Sequence, residues 1–521
     1  MMKRRKEASM RLEDWGEISF PVDRRNFLKI NTVLMSGLFL SGTGLSQLSA
    51  CGYKAGLKPG PSRRVVLHNF RLFDGVQNQL QEGRRVVIEE DRIRDVDPWA
   101  GQKGIPDHQV FDAQGMTLMP GLIDNHVHIT VPFMFKVNLN ALAQMDRQIE
   151  LNFRNCIMNG VTTVRDVGGF PGKIKKFREM SDRCEIPGPR VISSLSPIAA
   201  RKGSSFGAPE KAPYFTNPLI KWLLGGNYAE RPTNVEEIRE ACERMVKLGA
   251  QWLKTLHQDH TYSYYPRTLP NHSDEGYRTI LEIGRKYGLK CALHQVFLSG
   301  FKKGVDLGFH TLDHMPMDEE IPDDNLDRFN EKNMAILPTM MIYGDWLVDD
   351  EILARVEKRG SDYLVPEAQR QVTGLLQESL AQEKKKLSED DRKKLMYDRQ
   401  YWKDQFSKVI QNLQKLHRKG ATVGIGTDIG GSYSGFFGRY LDELKHYQAA
   451  GISNFEILRM ATAVNARILN LEDKIGTVEK GRWADLIVVE GNPLDDLRAL
   501  EKVRMVMKGG VLIKNELPSQ G

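Results

Sequence analysis

The sequence has few cysteines, few aromatic residues and only a small excess of charge of one sign. Only five of the 521 residues are cysteine, which excludes a disulfide-rich scaffold, and 8% are aromatic. The formal net charge is +7, and eight basic and five acidic residues lie in the first 50, so no basic face for nucleic acid is predicted. Beyond this N-terminal region, no apolar run is long enough to predict a membrane-spanning helix.

What the sequence does contain is typical of a globular protein with a sizeable core. Hydrophobic residues make up 40% of the chain and charged residues 27%. At roughly 150 residues per domain, the length predicts about three domains, although α/β barrels often exceed 250 residues as a single unit.

The first 50 residues resemble an export signal rather than part of the fold. Paired arginines, Arg24 and Arg25, precede an uncharged stretch over 30–50, an order typical of a twin-arginine signal. The segment 48–51 (LSAC) resembles a lipoprotein processing box, in which Cys51 is acylated and becomes the new N-terminus. We therefore expect an exported protein, held by a lipid at the periplasmic or extracellular face of a membrane. An uncleaved anchor helix is the alternative.

The remaining four cysteines are widely spaced and form no Cys-x-x-Cys pair. They are Cys156, Cys184, Cys242 and Cys291. Buried free thiols are predicted, and one disulfide is the alternative outside the cytoplasm.

Short strand patterns at both ends of the chain frame a long central region. The patterns at 64–119 and 473–516 predict one small β-sandwich domain built from both ends. Between them, over 120–472, strands alternate with helices, which predicts parallel strands joined by crossover helices. The charged segment 345–405 is long for a connection and predicts a solvated helical insertion.

Eight candidate strands can be counted in the central region, which matches the (β/α)8 barrel of the α/β class. They are 121–128, 161–165, 190–194, 252–256, 290–294, 310–314, 334–338 and 422–428. In such barrels the active site lies at the C-terminal ends of the strands.

Several potential metal ligands fall at these strand ends. His126 and His128 are two residues apart on one strand, so both imidazoles face the same side. His294 and His314 end two further strands, and Asp428 ends another. Each alone has an ordinary structural explanation, but four imidazoles and a carboxylate at strand ends together predict a metal site.

Lys254 lies inside a predicted buried strand, where an ammonium group is normally avoided. A lysine facing outward is the alternative. If the side chain faces the histidines, its pKa is lowered, and the neutral amine can take up carbon dioxide to form an anionic carbamate that suits two metal ions.

Several segments together resemble the signatures of the amidohydrolase superfamily. They are 119–128 (MPGLIDNHVH), 160–166 (GVTTVRD), His294, 313–314 (DH), 426–428 (GTD) and 475–486 (IGTVEKGRWADL). The resemblance covers about residues 64–516. It implies a distorted barrel beside a β-sandwich and a metal-dependent hydrolase.

The segment 249–254 (GAQWLK) is similar to the strand that carries a carboxylated lysine in the binuclear, prolidase-like branch. This implies two zinc ions bridged by carboxylated Lys254. The implied ligands of the buried ion are His126, His128 and Asp428, and those of the exposed ion are His294 and His314. Asp428 is also the implied catalytic base. Trp252 and Thr255 depart from the usual pattern, in which aliphatic residues are commoner.

Six further residues are candidates for contacting a small-molecule substrate. Arg165 ends the second strand and could pair with a substrate carboxylate or with a neighbouring acid. The others lie in loops after strands: His257, Tyr264, Tyr265, Arg439 and Tyr440. For each of them an ordinary structural role is the alternative.

Three functions follow from these observations. The first is hydrolysis of an amide or peptide-like C–N bond, as in a dipeptide or an N-acylated amino acid. The second is a one-metal deaminase or cyclic-amide hydrolase of the imidazolone type, which would not need Lys254. The third is an inactive ligand-binding surface lipoprotein, against which the intact ligand set argues. The sequence does not identify the substrate, and it leaves open whether the protein forms a homo-oligomer.

The lipid anchor can be tested at Cys51. We expect Cys51→Ala to move the protein from the membrane to the soluble fraction, because several acyl chains together are needed for stable anchoring. The measurement is fractionation followed by detection of the protein. A variant that stays in the membrane at the wild-type level would favour an uncleaved transmembrane anchor instead.

Overall fold

The computed structural model describes residues 64–99, 108–134, 138–203, 221, 224–345, 349–383, 388–393, 398–432 and 435–520. The export segment and Cys51 lie outside these residues. Within the described ranges, no helix is both long and apolar enough to cross a membrane. The four cysteines that follow Cys51 are free thiols, as the sequence predicts, and all but the half-buried Cys184 are buried.

Strands and helices alternate through the middle of the chain and give way to strands at both ends. In chain order, the strands of the described residues are β1 (Arg64–His68), β2 (Arg71–Leu72), β3 (Arg84–Glu89), β4 (Arg92–Pro98), β5 (His108–Asp112), β6 (Thr117–Pro120), β7 (Leu122–Val127), β8 (Val161–Asp166), β9 (Arg190–Ser193), β10 (Trp252–Leu256), β11 (Lys290–His294), β12 (Thr311–Asp313), β13 (Ala335–Leu337), β14 (Thr422–Val423), β15 (Leu486–Val489), β16 (Val503–Lys508), β17 (Val511–Asn515) and β18 (Ser519–Gln520). The α-helices are Leu139–Met158, Pro171–Asp182, Val235–Leu248, Asp274–Tyr287, Leu298–Leu307, Asp323–Glu331, Met340–Gly344, Asp349–Arg359, Pro366–Glu383, Glu389–Arg392, Arg399–Arg418, Tyr440–Ala449, Asn454–Arg459 and Asn465–Ile468. A π-helical turn spans Met460–Val464, and 3-10 turns span Gly360–Asp362 and Leu497–Glu501.

The eight strands predicted between residues 121 and 428 are present as β7 to β14. The largest difference is in β14, which was predicted over 422–428 but contains only Thr422–Val423. The chain cannot stay extended as far as Asp428, because this residue has φ +54°, in the left-handed region. His314 (φ +75°) likewise lies just beyond β12 rather than within it.

These eight strands form two parallel sets, β7-β8-β9 and β10-β11-β12-β13-β14. Backbone hydrogen bonds join the two sets at both edges. Ile198 N donates to Lys254 O (2.8 Å) beyond β9, and Asp428 N donates to His126 O (2.8 Å) beside β7. The carboxyl end of β7 and the segment after β14 therefore run side by side.

Residue patterns explain where the helices between the strands begin and end. In Asp274–Tyr287 the Ser273 side chain accepts from Gly276 N, and Gly288 in the left-handed conformation ends the helix. The helix buries one face that includes Tyr277 and Ile280. Such amphipathic helices cover the apolar strands and leave the strand ends available for polar residues.

Strands from the two ends of the chain pair with each other. They form two five-stranded sheets of order β18-β5-β1-β3-β4 and β17-β16-β15-β6-β2. The antiparallel pair β6 and β15 places Pro120 opposite Leu486. Buried residues such as Val65, Phe111 and Met505 form an apolar cluster of their own here. The pairing fixes β7, since β6 leads directly into it.

The insertion predicted over 345–405 is helical, but it is not simply solvated. Val356, Val372 and Leu376 are fully buried. The backbone N–H of Val365 donates to the side chain of Gln148, on the helix that follows β7 (2.8 Å). The charged residues of this segment therefore cover only one side of a packed unit.

A truncation inside the insertion tests this packing. We expect Leu376→Ala to lower the free energy of unfolding by about 2–5 kcal/mol, because it removes buried contacts and leaves a cavity. Calorimetric unfolding measures the effect, with exposed Gln377→Ala as the matched control on the same helix. Equal stability of the two variants would show that the insertion is a solvated appendage.

Candidate metal centre

Three of the predicted ligands meet where β7 ends and the chain leaves β14. His128 Nε2 lies 3.2 Å and His126 Nε2 3.4 Å from Asp428 Oδ1. One ligand atom from each of the three residues falls within 4.8 Å of the others, and all three side chains are buried. Two imidazoles and a carboxylate at this spacing form a donor set suited to zinc.

His294 and His314 lie beside His126, His128 and Asp428, and these five residues form one cluster. Their rings lie 4.4 Å apart between centroids, and the His314 ring lies 4.8 Å from that of His126. Burial and the charge of Lys254 lower the pKa of His294 to about 3. Burial, with His294 beside it, also holds the pKa of His314 well below its ordinary value. Both rings are therefore neutral at pH 7, the form in which imidazole binds metal.

Lys254 points into this cluster. Only 1% of the residue is exposed, and its Nζ contacts Asp313 Oδ2. Burial lowers the pKa of Lys254, although the charge of Asp313 opposes this shift. The alternative of an outward-facing lysine is therefore wrong.

The hydrogen bonds around His128 show that the cluster fits a cation. His128 Nδ1 lies 2.7 Å from Gly168 O, a carbonyl that can only accept, so this nitrogen carries the proton. In the neutral ring, Nε2 then presents a lone pair to Asp428 Oδ1, which is buried and has no hydrogen-bond partner. Two acceptors that face each other at 3.2 Å attract only when a proton or a metal ion lies between them.

A proton shared by His128 Nε2 and Asp428 Oδ1 is the alternative to a metal ion between these two atoms. Burial disfavours the charged imidazole, but contact with Asp428 outweighs this effect and raises the pKa of His128. Burial alone would raise the pKa of Asp428, and the neighbouring His126 and His128 hold it well below its ordinary value. The carboxylate is therefore ionised, as a metal ligand must be.

The backbone at the site is strained, and glycines make room for the ligands. His314 and Asp428 both have positive φ, an unfavourable conformation that clusters at functional sites. A Cβ on Gly431 would lie 2.5 Å from Asp428 Oδ1, and one on Gly426 would lie 2.7 Å from the Cβ of His126. The glycine-rich sequence after β14 is therefore a steric requirement of the site.

Asp124 supports this strained segment rather than joining the ligands. Its Oδ1 accepts from Thr427 N (3.0 Å) and its Oδ2 from Thr427 Oγ1 (2.7 Å). Burial raises the pKa of Asp124 to about 7, against the effect of these hydrogen bonds. The contact fixes the residue directly before Asp428.

Arg165, for which the sequence left open a substrate carboxylate or a neighbouring acid, pairs with a neighbouring acid in the structure. Arg165 is fully buried, and its Nη2 donates to Asp313 Oδ1 at 2.9 Å. Its Nε donates to Asn125 O at 2.6 Å. The guanidinium points into the interior between the strands, and its donors bond to these interior partners.

Arg439 and Tyr440, two further substrate candidates, also have interior partners, which is the ordinary structural role given as their alternative. Arg439 is buried and forms a two-point ion pair with Asp345, with distances of 2.7 and 3.0 Å. The Tyr440 hydroxyl donates to Ile123 O at 2.8 Å in the interior. Both side chains begin the helix Tyr440–Ala449 and face the core instead of the strand ends.

The loop after β10 holds the other three substrate candidates, for which substrate contact stays a prediction. His257 is buried, with its ring nitrogens 3.0 Å from the Tyr277 hydroxyl and 3.1 Å from Asp259 Oδ1. Tyr264 is exposed and its hydroxyl contacts Asp404 in the insertion. The ring of Tyr265 lies 5.4 Å from Nζ of Lys393, also in the insertion.

Two residues of the site are absent from the ligands predicted above. Asp313 is fully buried at the end of β12, where it contacts Lys254. Thr339 Oγ1 lies 2.7 Å from His314 Nδ1 and orients that ring. The Asp-His pair at 313–314 is the signal for Asp313, because a carboxylate just before a predicted ligand belongs to the same strand end. No comparable signal marks Thr339, which is 25 residues from His314.

Comparison with known proteins identifies the family of this chain. The profile of the amidohydrolase family matches residues 117–513. Ochratoxinase of Aspergillus niger is 22% identical over 423 residues, which cover 76% of this chain and 75% of that protein. Guanine deaminase of Escherichia coli (strain K12) is 35% identical over only 102 residues, 19% of this chain and 23% of that protein.

Solved structures share the fold over most of the chain. The crystal structure of an amidohydrolase has 25% identity and a TM-score of 0.64, covering 87% of this chain and 100% of that one. A Xaa-Pro dipeptidase with bound methionine has 21% identity and a TM-score of 0.64, covering 86% and 99%. The chain therefore belongs to the amidohydrolase family and is a hydrolase that acts on carbon–nitrogen bonds.

Proposed function

We propose that this protein hydrolyses an amide or peptide-like bond in a small molecule, such as a dipeptide or an N-acylated amino acid, with divalent metal ions bound at the cluster. The observation that carries the proposal is the convergence of the predicted ligands from separate strand ends. His126, His128 and Asp428 lie within ligand-atom contact of one another. The His314 ring lies beside that of His126, the His294 ring lies beside that of His314, and Lys254 contacts Asp313 next to His126.

The likeness to proteins that cleave such bonds supports this choice of reaction. A structural neighbour is a Xaa-Pro dipeptidase, and another is a prolidase complexed with an N-methylphosphonate derivative of proline. We further propose that β7 to β14 close into a (β/α)8 barrel. The backbone hydrogen bonds that join the two parallel sets at both edges favour this closure.

Two zinc ions would fit the donors. His126, His128 and Asp428 would hold one, His294 and His314 the other, and Lys254, carboxylated by carbon dioxide, would bridge them. Divalent ions in such a site polarise the scissile carbonyl and lower the pKa of water. Lys254 is suited to carboxylation because burial favours its neutral amine, which is the reactive form.

The protein's own groups then supply the proton transfers. Asp428 is ionised and buried, so its carboxylate can accept the proton of the attacking water and deliver it to the leaving nitrogen. The Thr427 contacts with Asp124 hold the backbone beside this carboxylate. The buried position of the cluster excludes bulk water from the reacting groups.

A one-metal deaminase or cyclic-amide hydrolase is the second candidate. It is favoured by the 35% identity to guanine deaminase, although this covers only 102 residues. Such an enzyme would leave Lys254 without a role. Lys254 is buried and contacts Asp313, which lies beside the ligand His126, and for this reason the two-metal hydrolase is placed first.

We also propose that the enzyme works outside the cytoplasm, held at a membrane surface by a lipid on Cys51. This proposal rests on the twin-arginine pattern and on the lipoprotein box at 48–51.

Metal dependence is the first test of the function. We expect about two divalent ions per chain in the purified protein and loss of hydrolysis after chelation. His126→Ala and Asp428→Ala should abolish turnover, because each removes a ligand and Asp428 is also the base. Metal analysis and a screen of dipeptides and N-acylated amino acids measure both effects.

His310→Ala is the matched control, since this exposed histidine precedes β12, at the opposite end of that strand from the cluster's His314, and its Nδ1 accepts from Cys291 N. It should keep its metal and its activity. Full activity in a metal-free preparation would contradict the proposed reaction.

Lys254 distinguishes the two candidate functions. We expect Lys254→Ala to lose one metal ion and most activity. Lys254→Arg should fail too, because arginine stays protonated and cannot form a carbamate. A short carboxylic acid added to the Ala variant should restore part of the metal content and rate by replacing the bridge.

Lys508→Ala is the matched control, a buried lysine that donates to Ser181 O and Gly188 O away from the cluster. It should lose stability but keep two metal ions. If wild type, Ala and Arg variants at position 254 all bind one metal ion and turn over alike, the one-metal candidate becomes the better account.

A further inference from the structure

A fully buried carboxylate, that of Asp313, lies against two of the predicted ligands. Asp313 Oδ1 accepts from Arg165 Nη2 at 2.9 Å and from Thr311 Oγ1 at 3.2 Å. Asp313 Oδ2 contacts Lys254 Nζ and lies 3.3 Å from His126 Nδ1. One oxygen is thus held by groups outside the ligand set, and the other faces two ligands.

The groups that hold Oδ1 are themselves fixed. Arg165 donates from Nε to Asn125 O (2.6 Å) and from Nη1 to Thr311 Oγ1 (3.1 Å). Its guanidinium carbon lies 4.5 Å from the centroid of the Trp252 ring. Since these contacts come from several different strands, Asp313 has little freedom to move.

The arrangement spans the two parallel sets of strands. Arg165 and His126 lie on β8 and β7, in one set, whereas Asp313 and Lys254 lie on β12 and β10, in the other. The carboxylate therefore sets the spacing between a ligand of one set and a ligand of the other.

Stability alone does not explain this buried pair. The interior of such a barrel is normally filled by branched apolar side chains. Replacing a buried ion pair with apolar residues of similar volume is often neutral or stabilising, because desolvation offsets the attraction. A charged network at this depth is therefore better explained by what it does for its neighbours.

We propose that Asp313, anchored by Arg165 and Thr311, is a positioning residue that orients His126 and Lys254 for metal binding. This inference rests on the proposed function. A carboxylate beside Nδ1 fixes the tautomer and the rotation of a ligand histidine and leaves Nε2 for the metal. In His126, Nε2 is the atom that faces Asp428.

The test is a cobalt titration of the full-length protein after metal removal, with the visible spectrum of bound Co²⁺ as the readout. We expect Asp313→Asn to bind Co²⁺ about 10- to 100-fold more weakly, with a changed spectrum. Asparagine keeps the shape of the side chain and can still accept from Arg165, but it lacks the charge that faces His126 and Lys254.

Asp345→Asn is the matched control, because Asp345 is the buried carboxylate partner of Arg439. We expect both Asp345→Asn and Asp313→Asn to lower the midpoint temperature of thermal unfolding. Asp345→Asn should leave the Co²⁺ affinity and spectrum unchanged. If Asp313→Asn does not fold, Thr311→Val replaces it, since it removes only the hydroxyl that donates to Oδ1. This variant should weaken Co²⁺ binding by about 2- to 10-fold.

The outcomes separate this inference from the function on which it rests. A wild-type protein that binds no Co²⁺ would overturn both. A wild-type protein that binds Co²⁺, together with Asp313→Asn and Thr311→Val variants of unchanged affinity and spectrum, would overturn the positioning role alone. Equal weakening by Asp345→Asn would also overturn it, since the effect would then come from any lost buried ion pair.

Discussion

The rest of the structure depends on the need to balance charge inside the protein. Lys254 and Arg165 contact the buried carboxylate of Asp313, and each of these three residues is at most 1% exposed. Isolated buried charges are very unfavourable, so these groups must be brought together with accurate spacing. Parallel strands meet this requirement, because their carboxyl ends lie at one edge and each can carry one polar side chain.

The residues with strained backbone that surround the ligands lie at the same edge. His314 and Asp428 have positive φ, which costs about 1–3 kcal/mol for each residue and persists only where the surroundings fix it. Thr339, which bonds to His314, shares this conformation. The apolar strands and helices below the edge offset the strain, and Gly426 and Gly431 leave the space that the ligands need.

The insertion is connected to the site through the loop after β10, the strand that carries Lys254. Asp398 N donates to Tyr262 O at 2.8 Å, and the rings of Trp402 and Tyr262 lie 4.9 Å apart between centroids. Trp402 also lies 5.2 Å from Tyr343, whose hydroxyl accepts from Met315 N next to His314. The insertion therefore contacts the loop that follows the Lys254 strand, and it contacts Tyr343, which bonds to the residue next to His314.

The sequence by itself determined the order of strands and the ligand candidates. Strand periodicity and turn residues are local, and a histidine or aspartate at a strand end is visible from the pattern around it, as for His126, His294 and Asp428. Only the tertiary structure decided what the other polar residues contact. Arg165 and Arg439 are charged residues at or after strand ends, as substrate-binding residues often are. In the structure they pair with Asp313 and Asp345, which lie 148 and 94 residues away in sequence. Such partners are set by how the strands and helices pack, and no local pattern encodes them.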